Sequence, residues 1–172
     1  NIYALTEVDA ALAGKAIHQL SRMMRYLLYD TQPGSTMLSQ EIAFVRDYIG
    51  LMKLRLTETA TVDIQTPADL RDMPIAPMIF LPFIENAFKH GVRPLEPSQI
   101  KIVISQSGSL LDLTVRNPII NDNRTSLDAG TGIGLVNTRR RLDLLYPGKF
   151  KLDIGNPGPD NAFTVHLVLD LS

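Results

Sequence analysis

The hydrophobic period of this chain changes once, near Thr57, and that change restricts the fold more than any other feature. Ahead of it, apolar residues recur at intervals of three and four. Ala16, Leu20, Met23, Met24, Leu27 and Leu28 form one stripe, and Phe44, Val45, Tyr48, Ile49, Met52 and Leu56 form a second. Both follow the period of an amphipathic helix. Residues 7–30 therefore read as one helix. Gln32-Pro33-Gly34-Ser35 reads as a turn, because proline and glycine both interrupt helices. Ser39 has the side chain of an N-cap and opens the second helix. Two such helices joined by a short polar loop make a helical hairpin over residues 1–56. A lone hairpin leaves an apolar stripe uncovered, so a partner hairpin is expected, from a second copy of the chain or from sequence ahead of it.

Beyond Thr57 the pattern becomes mixed. Thr61-Val62-Asp63-Ile64-Gln65 alternates like a strand. Pro74 and Pro77 mark an irregular entry to a helix over 77–90, with Pro82 inside it as a kink or a late start. Residues 100–106 and 110–116 read as two strands around a Ser107-Gly108-Ser109 turn. Residues 117–130 are poor in apolar groups and read as a long loop, a length that is more often functional than accidental. A helix over 134–146 ends at Pro147-Gly148, and residues 150–154 and 163–169 close as two more strands. Antiparallel hairpins mixed with packed helices point to an α+β fold, a two-layer sandwich over residues 57–172 behind the hairpin.

Composition removes several alternatives. With 172 residues, 45% of them hydrophobic, the chain can fill a core. A net charge of -1 argues against a broad nucleic-acid surface. Arg139, Arg140 and Arg141 form a local basic cluster and read as a solvated helix face. There is no cysteine, hence no disulfide, thiolate zinc site or cysteine nucleophile, which fits a reducing compartment. No apolar run reaches the length of a membrane-crossing helix. The chain opens at Asn1 and reads as a piece of a longer protein.

Two constellations carry chemistry. In the stretch Pro82-Phe83-Ile84-Glu85-Asn86-Ala87-Phe88-Lys89-His90-Gly91, Glu85 and Lys89 lie four apart, as do Asn86 and His90. On a helix these four cover one broad face. Mg²⁺ takes hard oxygen ligands, usually one or two from protein and the rest from phosphate and water. The Asn86 oxygen suits that without repelling phosphate, Glu85 can orient or deprotonate an attacking group, and Lys89 and His90 can meet phosphate. Taken alone, the same residues suit a surface Glu85–Lys89 pair equally well. The second constellation is Gly130-Thr131-Gly132-Ile133-Gly134-Leu135. Its glycines let backbone approach an anion, and the helix after it aims its free N–H groups at the same place. It lacks the Lys-Ser/Thr of a Walker A loop and follows no strand as a dinucleotide fingerprint would. By itself it suits a hinge as well.

In this order and spacing, the two motifs resemble the GHKL or Bergerat ATP-binding fold of histidine kinases, gyrase and MutL, and within it the LytS-type sensor histidine kinases. The resemblance runs from end to end. Asn1-Ile2-Tyr3-Ala4-Leu5 is similar to the segment after that family's phosphoacceptor motif, and Leu20-Ser21-Arg22-Met23-Met24-Arg25-Tyr26 to its first long helix. Leu38-Ser39-Gln40-Glu41 and Tyr48 to Arg55 are similar to its second. Pro82 to Gly91 resembles its N-box, and Gly130 to Leu135, with Asn137, Arg141-Leu142 and Leu145-Tyr146-Pro147, its G-box and following helix. The resemblance implies ATP and Mg²⁺ between the Asn86 helix and the Gly130–Leu135 segment, with residues 117–130 as a lid. It implies a homodimer through residues 1–56, a response regulator as partner, and a cytoplasmic domain in a membrane-anchored protein. The γ-phosphate would pass to a histidine.

The chain departs from the family's pattern twice. The acceptor histidine would precede Asn1; His18 reads as a polar-face residue and His166 as structural. The adenine-reading Asp with its Gly-x-Gly is replaced by Val115-Arg116-Asn117-Pro118. Asn117 can still accept a hydrogen bond from an adenine amino group. The lost charge and the proline predict weaker ATP affinity. A nucleotide-binding dimeric scaffold and a GHKL-type ATPase are the competing readings.

Overall fold

The computed structural model describes residues 2–31, 34–57, 59–92, 96–119, 129–155 and 162–172. In chain order its elements are α1 (Ile2–Val8), α2 (Ala10–Arg25), a π-helical turn (Tyr26–Asp30), β1 (Thr36–Met37), α3 (Leu38–Lys53), β2 (Ala60–Gln65) and β3 (Pro74–Ile75). Then come α4 (Leu81–Gly91), β4 (Ser98–Ser107), β5 (Leu110–Pro118), α5 (Ala129–Leu145), β6 (Phe150–Gly155) and β7 (Ala162–Asp170). Five strands form one sheet in the order β2-β4-β5-β7-β6. β2 and β4 are parallel; the other neighbours are antiparallel. A parallel pair needs a crossover, and α4 supplies it. β4 and β5 meet in a hairpin whose pairing ends at Ser107 and Leu110, so Gly108 and Ser109 make the turn. Gly108 has φ 62, the left-handed backbone that tight hairpins demand.

Alternation along the strands separates two faces. Ile100, Ile102 and Ile104 of β4, Leu111, Leu113 and Val115 of β5, and Val165, Leu167 and Leu169 of β7 point inward. Lys101, Ser105 and Arg116 lie exposed on the other side. Helices cover the inner face alone, which makes the two-layer α/β sandwich that the mixed pattern implied. α4 buries Phe83, Ile84, Ala87 and Phe88 there. α3 adds Leu38, Ile42, Phe44, Val45 and Ile49 to the same core, so packing does not divide at residue 56. No helix among the described residues is long and apolar enough to cross a membrane.

Local chemistry shifts several expected boundaries. The helix expected over 7–30 is interrupted at Asp9, whose carboxylate accepts the Leu12 N–H at 2.9 Å and caps α2. It also loosens into the π-helical turn at Tyr26. Ser39 is not the N-cap. α3 starts at Leu38, the Gln40 side chain accepts the Met37 N–H at 3.2 Å, and Ser39 gives its N–H and hydroxyl to Asp72 at 2.9 and 2.8 Å. α4 starts at Leu81 and not at Pro77. Pro82 then sits in the first turn, where no N–H is needed, and causes no kink. The short β1–β3 pairing was not anticipated, because two residues carry no period to read.

Two further boundaries bear on the site. β5 runs through Asn117 to Pro118, so these residues end a strand instead of opening a loop; residues 120–128, the rest of the expected lid, lie outside the described ones. The backbone from Ala129 is already helical, five residues before the expected start. Glycine lowers helix propensity by about 1 kcal/mol each and does not forbid it. The buried Leu135 and Leu142 anchor α5, and extension of an existing helix is easier than its nucleation.

Candidate active site

The sequence of α4 sorts its side chains by helical position. Phe83, Ile84, Ala87, Phe88 and Gly91 are buried, which leaves Pro82, Glu85, Asn86, Lys89 and His90 on the opposite face. Those five line a cavity of about 170 Å³, closed on its other side by Gly134 and Leu135 of α5. The first constellation therefore meets the last two residues of the second in space. Glu85 and Lys89 are exposed at the mouth, and Asn86 and His90 are half-buried. α3 approaches from behind through Tyr48, which packs edge-on against Phe88 at 6.1 Å between ring centres. Burial raises the Tyr48 hydroxyl above the ordinary tyrosine value, and the Glu85 charge adds to the effect.

The α5 side differs from expectation. Gly134 and Leu135 reach the cavity, but Gly134 lies beyond the first helical turn. The free N–H groups of a helix belong to its first four residues, so those of α5 lie further back, toward Ala129. The Gly134 carbonyl accepts the Thr138 hydroxyl at 2.9 Å. Gly130, Thr131, Gly132 and Ile133 belong to the helix by their backbone.

Asn117 does not line this cavity. It is 3% exposed at the end of β5, against the last turn of α4. A Cβ built on Gly91 would fall 2.6 Å from the Asn117 Cβ, so glycine is what lets α4 and β5 close on each other there. The Asn117 amide donates from Nδ2 to the Pro118 carbonyl at 3.0 Å, committing one of its two N–H donors to the chain. Among the described residues, no group of three or more His, Cys, Asp and Glu is placed to hold a metal ion. His18 is exposed on α2. His166 pairs across strands with Asp112, Nε2 to Oδ2 at 2.6 Å, on the face of the sheet away from α4.

The segment that aims α4 was not read from the sequence. Glu41 of α3 is fully buried and accepts the N–H of Met78 at 2.9 Å, the N–H of Phe80 at 3.3 Å and the hydroxyl of Tyr26. From the other side, Arg141 of α5 donates to the carbonyls of Pro77 and Met78 at 2.5 and 3.3 Å. The Tyr146 hydroxyl accepts the Ala76 N–H at 2.7 Å. Arg139 donates to the Leu152 carbonyl at 2.9 Å. Two members of the arginine cluster thus tie the fold; Arg139 and Arg140 are exposed as expected, and Arg141 departs from the solvated face. The signal for Glu41 was its place in the stripe Leu38, Ile42, Val45, Ile49, where a carboxylate must face the core.

The known proteins that this chain resembles are histidine kinases. Residues 1–60 match the family model described as histidine kinase. Sensor protein LytS of Staphylococcus haemolyticus is 28% identical over 177 residues, covering 96% of this chain and 30% of that protein. Sensor protein kinase HptS of Staphylococcus aureus is 28% identical over 138 residues, covering 80% of this chain and 24% of its own length. The chain spans less than a third of the curated relatives it matches. Among solved structures, Acinetobacter baumannii histidine kinase AdeS superposes with a TM-score of 0.55 at 10% identity, over 98% of this chain and 82% of that one. The catalytic domain of histidine kinase ThkA gives 0.57 at 15% identity, over 80% and 97%. The fold is one that these histidine kinase structures share. By sequence the chain is similar to the sensor kinases LytS and HptS.

Proposed function

We propose that this chain is the ATP-binding, phosphoryl-donating portion of a two-component sensor histidine kinase. The observation that carries the reading is the single cavity that joins Glu85, Asn86, Lys89 and His90 to Gly134 and Leu135. In this reading the triphosphate lies between α4 and α5. Lys89 and His90 face its negative charge, and the half-buried Asn86 offers a neutral oxygen to a divalent ion. Such an ion, Mg²⁺ by the chemistry of an oxygen donor, would neutralise phosphate charge as the terminal group departs. Glu85 orients the attacking imidazole or takes its proton. The glycines make the first turns of α5 the weakest part of that helix, so their N–H groups can exchange helical bonds for bonds to phosphate. The γ-phosphoryl group leaves ADP, forms a P–N bond with a histidine outside residues 1–172, and passes on to a response regulator.

Homodimerisation through the leading helices is part of the same proposal. Ile17, Leu20, Met24, Leu27 and Leu28 are each more than two-fifths exposed along α2 and its π-helical end. A row of that kind marks an interaction face. A second reading, a nucleotide-poor dimeric scaffold, is favoured by Asn117-Pro118, because that strand end carries neither the charge nor the glycine of the family's adenine site. The test is incubation of the full-length protein with ATP labelled in its γ-phosphate. The kinase reading expects acid-labile, base-stable label on the protein that disappears with Asn86→Ala. Label absent from wild type would favour the scaffold.

A further inference from the structure

Met78 is the one described non-glycine residue with positive φ, at 54°. A side chain in left-handed backbone costs about 1–3 kcal/mol and persists only where its surroundings hold it. Here they do so with unusual completeness. The Met78 N–H goes to Glu41 and its carbonyl to Arg141, and the same two side chains take the Phe80 N–H and the Pro77 carbonyl. Three residues after Met78, α4 begins, with Phe80 as an N-cap that offers no side-chain hydrogen bond. The turn therefore sets the direction in which α4 leaves.

Glu41 also reaches away from the sandwich. Its Oε2 accepts the hydroxyl of Tyr26, the residue at which α2 passes into the π-helical turn. Tyr26 is 4% exposed and stacks on Phe44 of α3 at 4.6 Å. Insertions of this type are frequent at functional positions in helices. We propose that Glu41 is a positioning residue: its buried carboxylate joins the Tyr26 hydroxyl at the end of the leading helix to the backbone of the Met78 turn, and so sets how α4 presents Asn86 and His90 to the cavity. A shift or rotation of α2 then moves the start of α4 through one carboxylate, without any contact between α2 and the cavity. Burial raises the Glu41 carboxyl above the usual range, and the hydrogen bonds from Tyr26 and the Met78 and Phe80 amides pull it the other way. The inference rests on the nucleotide reading of the cavity for its functional meaning, though not for its geometry.

Two variants and two readouts test it. Glu41→Gln keeps the shape and one acceptor; Tyr26→Phe keeps the ring stack and removes only the hydroxyl, and covers the case in which Glu41→Gln fails to fold. Amide hydrogen exchange is measured without nucleotide, and affinity is measured with a non-hydrolysable ATP analogue and Mg²⁺. Both variants are expected to speed exchange across Leu81–Gly91 while β4 and β5 exchange as in wild type. They are also expected to weaken the analogue about fivefold, the size of one lost hydrogen bond. Faster exchange confined to the Met78 turn, with α4 and the affinity as in wild type, would make Glu41 a merely structural residue and overturn the proposal. If wild type takes no nucleotide, the reading of the cavity fails, and exchange across α4 alone decides for or against Glu41.

Discussion

α2 and α3 are each sixteen residues long and lie side by side, yet α3 buries seven residues and α2 two. Arg22 of α2 grips Asp47 of α3 in a two-bond fork, Nε to Oδ2 at 2.7 Å and Nη2 to Oδ1 at 2.5 Å. Otherwise the helices have different fates. α3 delivers its apolar stripe to the core of the sandwich and its Glu41 to the Met78 turn. α2 keeps Ile17, Leu20 and Met24 in solvent and buries only Ala13 and Ala16. A helical stripe in a sequence states that something will cover it; it does not state what. For α3 the cover is the core of the same chain, and for α2 the account requires a second copy.

The sharpest way to break this comparison is to damage each stripe in turn. Phe44→Ala removes a 3%-exposed ring from the shared core. It should cost about 3–5 kcal/mol and lower Tm by roughly 10 °C for a domain of this size, as differential scanning calorimetry would read. A Tm loss of a degree or two would mean that α3 is an appendage after all. Leu27→Asp, where the side chain is 42% exposed, should instead halve the mass seen by sedimentation equilibrium and leave the circular dichroism spectrum unchanged. A wild-type chain that sediments as a monomer at micromolar concentration would remove the second copy from the account.

A smaller effect separates the two helices by pH. Burial raises the Glu41 carboxyl above its ordinary value, against hydrogen bonds from Tyr26 and the Met78 and Phe80 amides. A carboxyl raised on folding contributes stability that is present below the unfolded value and is lost as pH rises through the folded one. Wild type should therefore stand highest relative to Glu41→Gln in acid, and the gap in Tm should narrow as pH rises toward neutrality. A gap that widens over that interval would contradict the direction. α2 carries no buried carboxylate, and changes on its exposed stripe should leave that pH profile unaltered.

Much of the fold was legible. Periods of 3.6 and 2 located α3 and all five strands of the main sheet, and the face Glu85, Asn86, Lys89, His90 was visible from spacing alone. What escaped were features that depend on partners distant in sequence. Ser39 looked like a cap because nothing nearby announced Asp72, thirty-three residues away. Pro82 suggested a kink because the turn that starts α4 is built by Glu41 and Arg141. The glycines before Leu135 suggested a loop, since propensity does not register the buried Leu142 that holds α5 in place. Met78 carried no local signal: only side chains from α3 and α5 together make its backbone tolerable.

The central claim is that α4 and α5 grip a nucleotide with a divalent ion at Asn86. Calorimetric titration of this chain with a non-hydrolysable ATP analogue, with and without Mg²⁺ and beside Asn86→Ala, tests it most directly. The account predicts binding that needs both Mg²⁺ and the Asn86 side chain. Binding unchanged by Asn86→Ala, or none up to millimolar nucleotide, would contradict it.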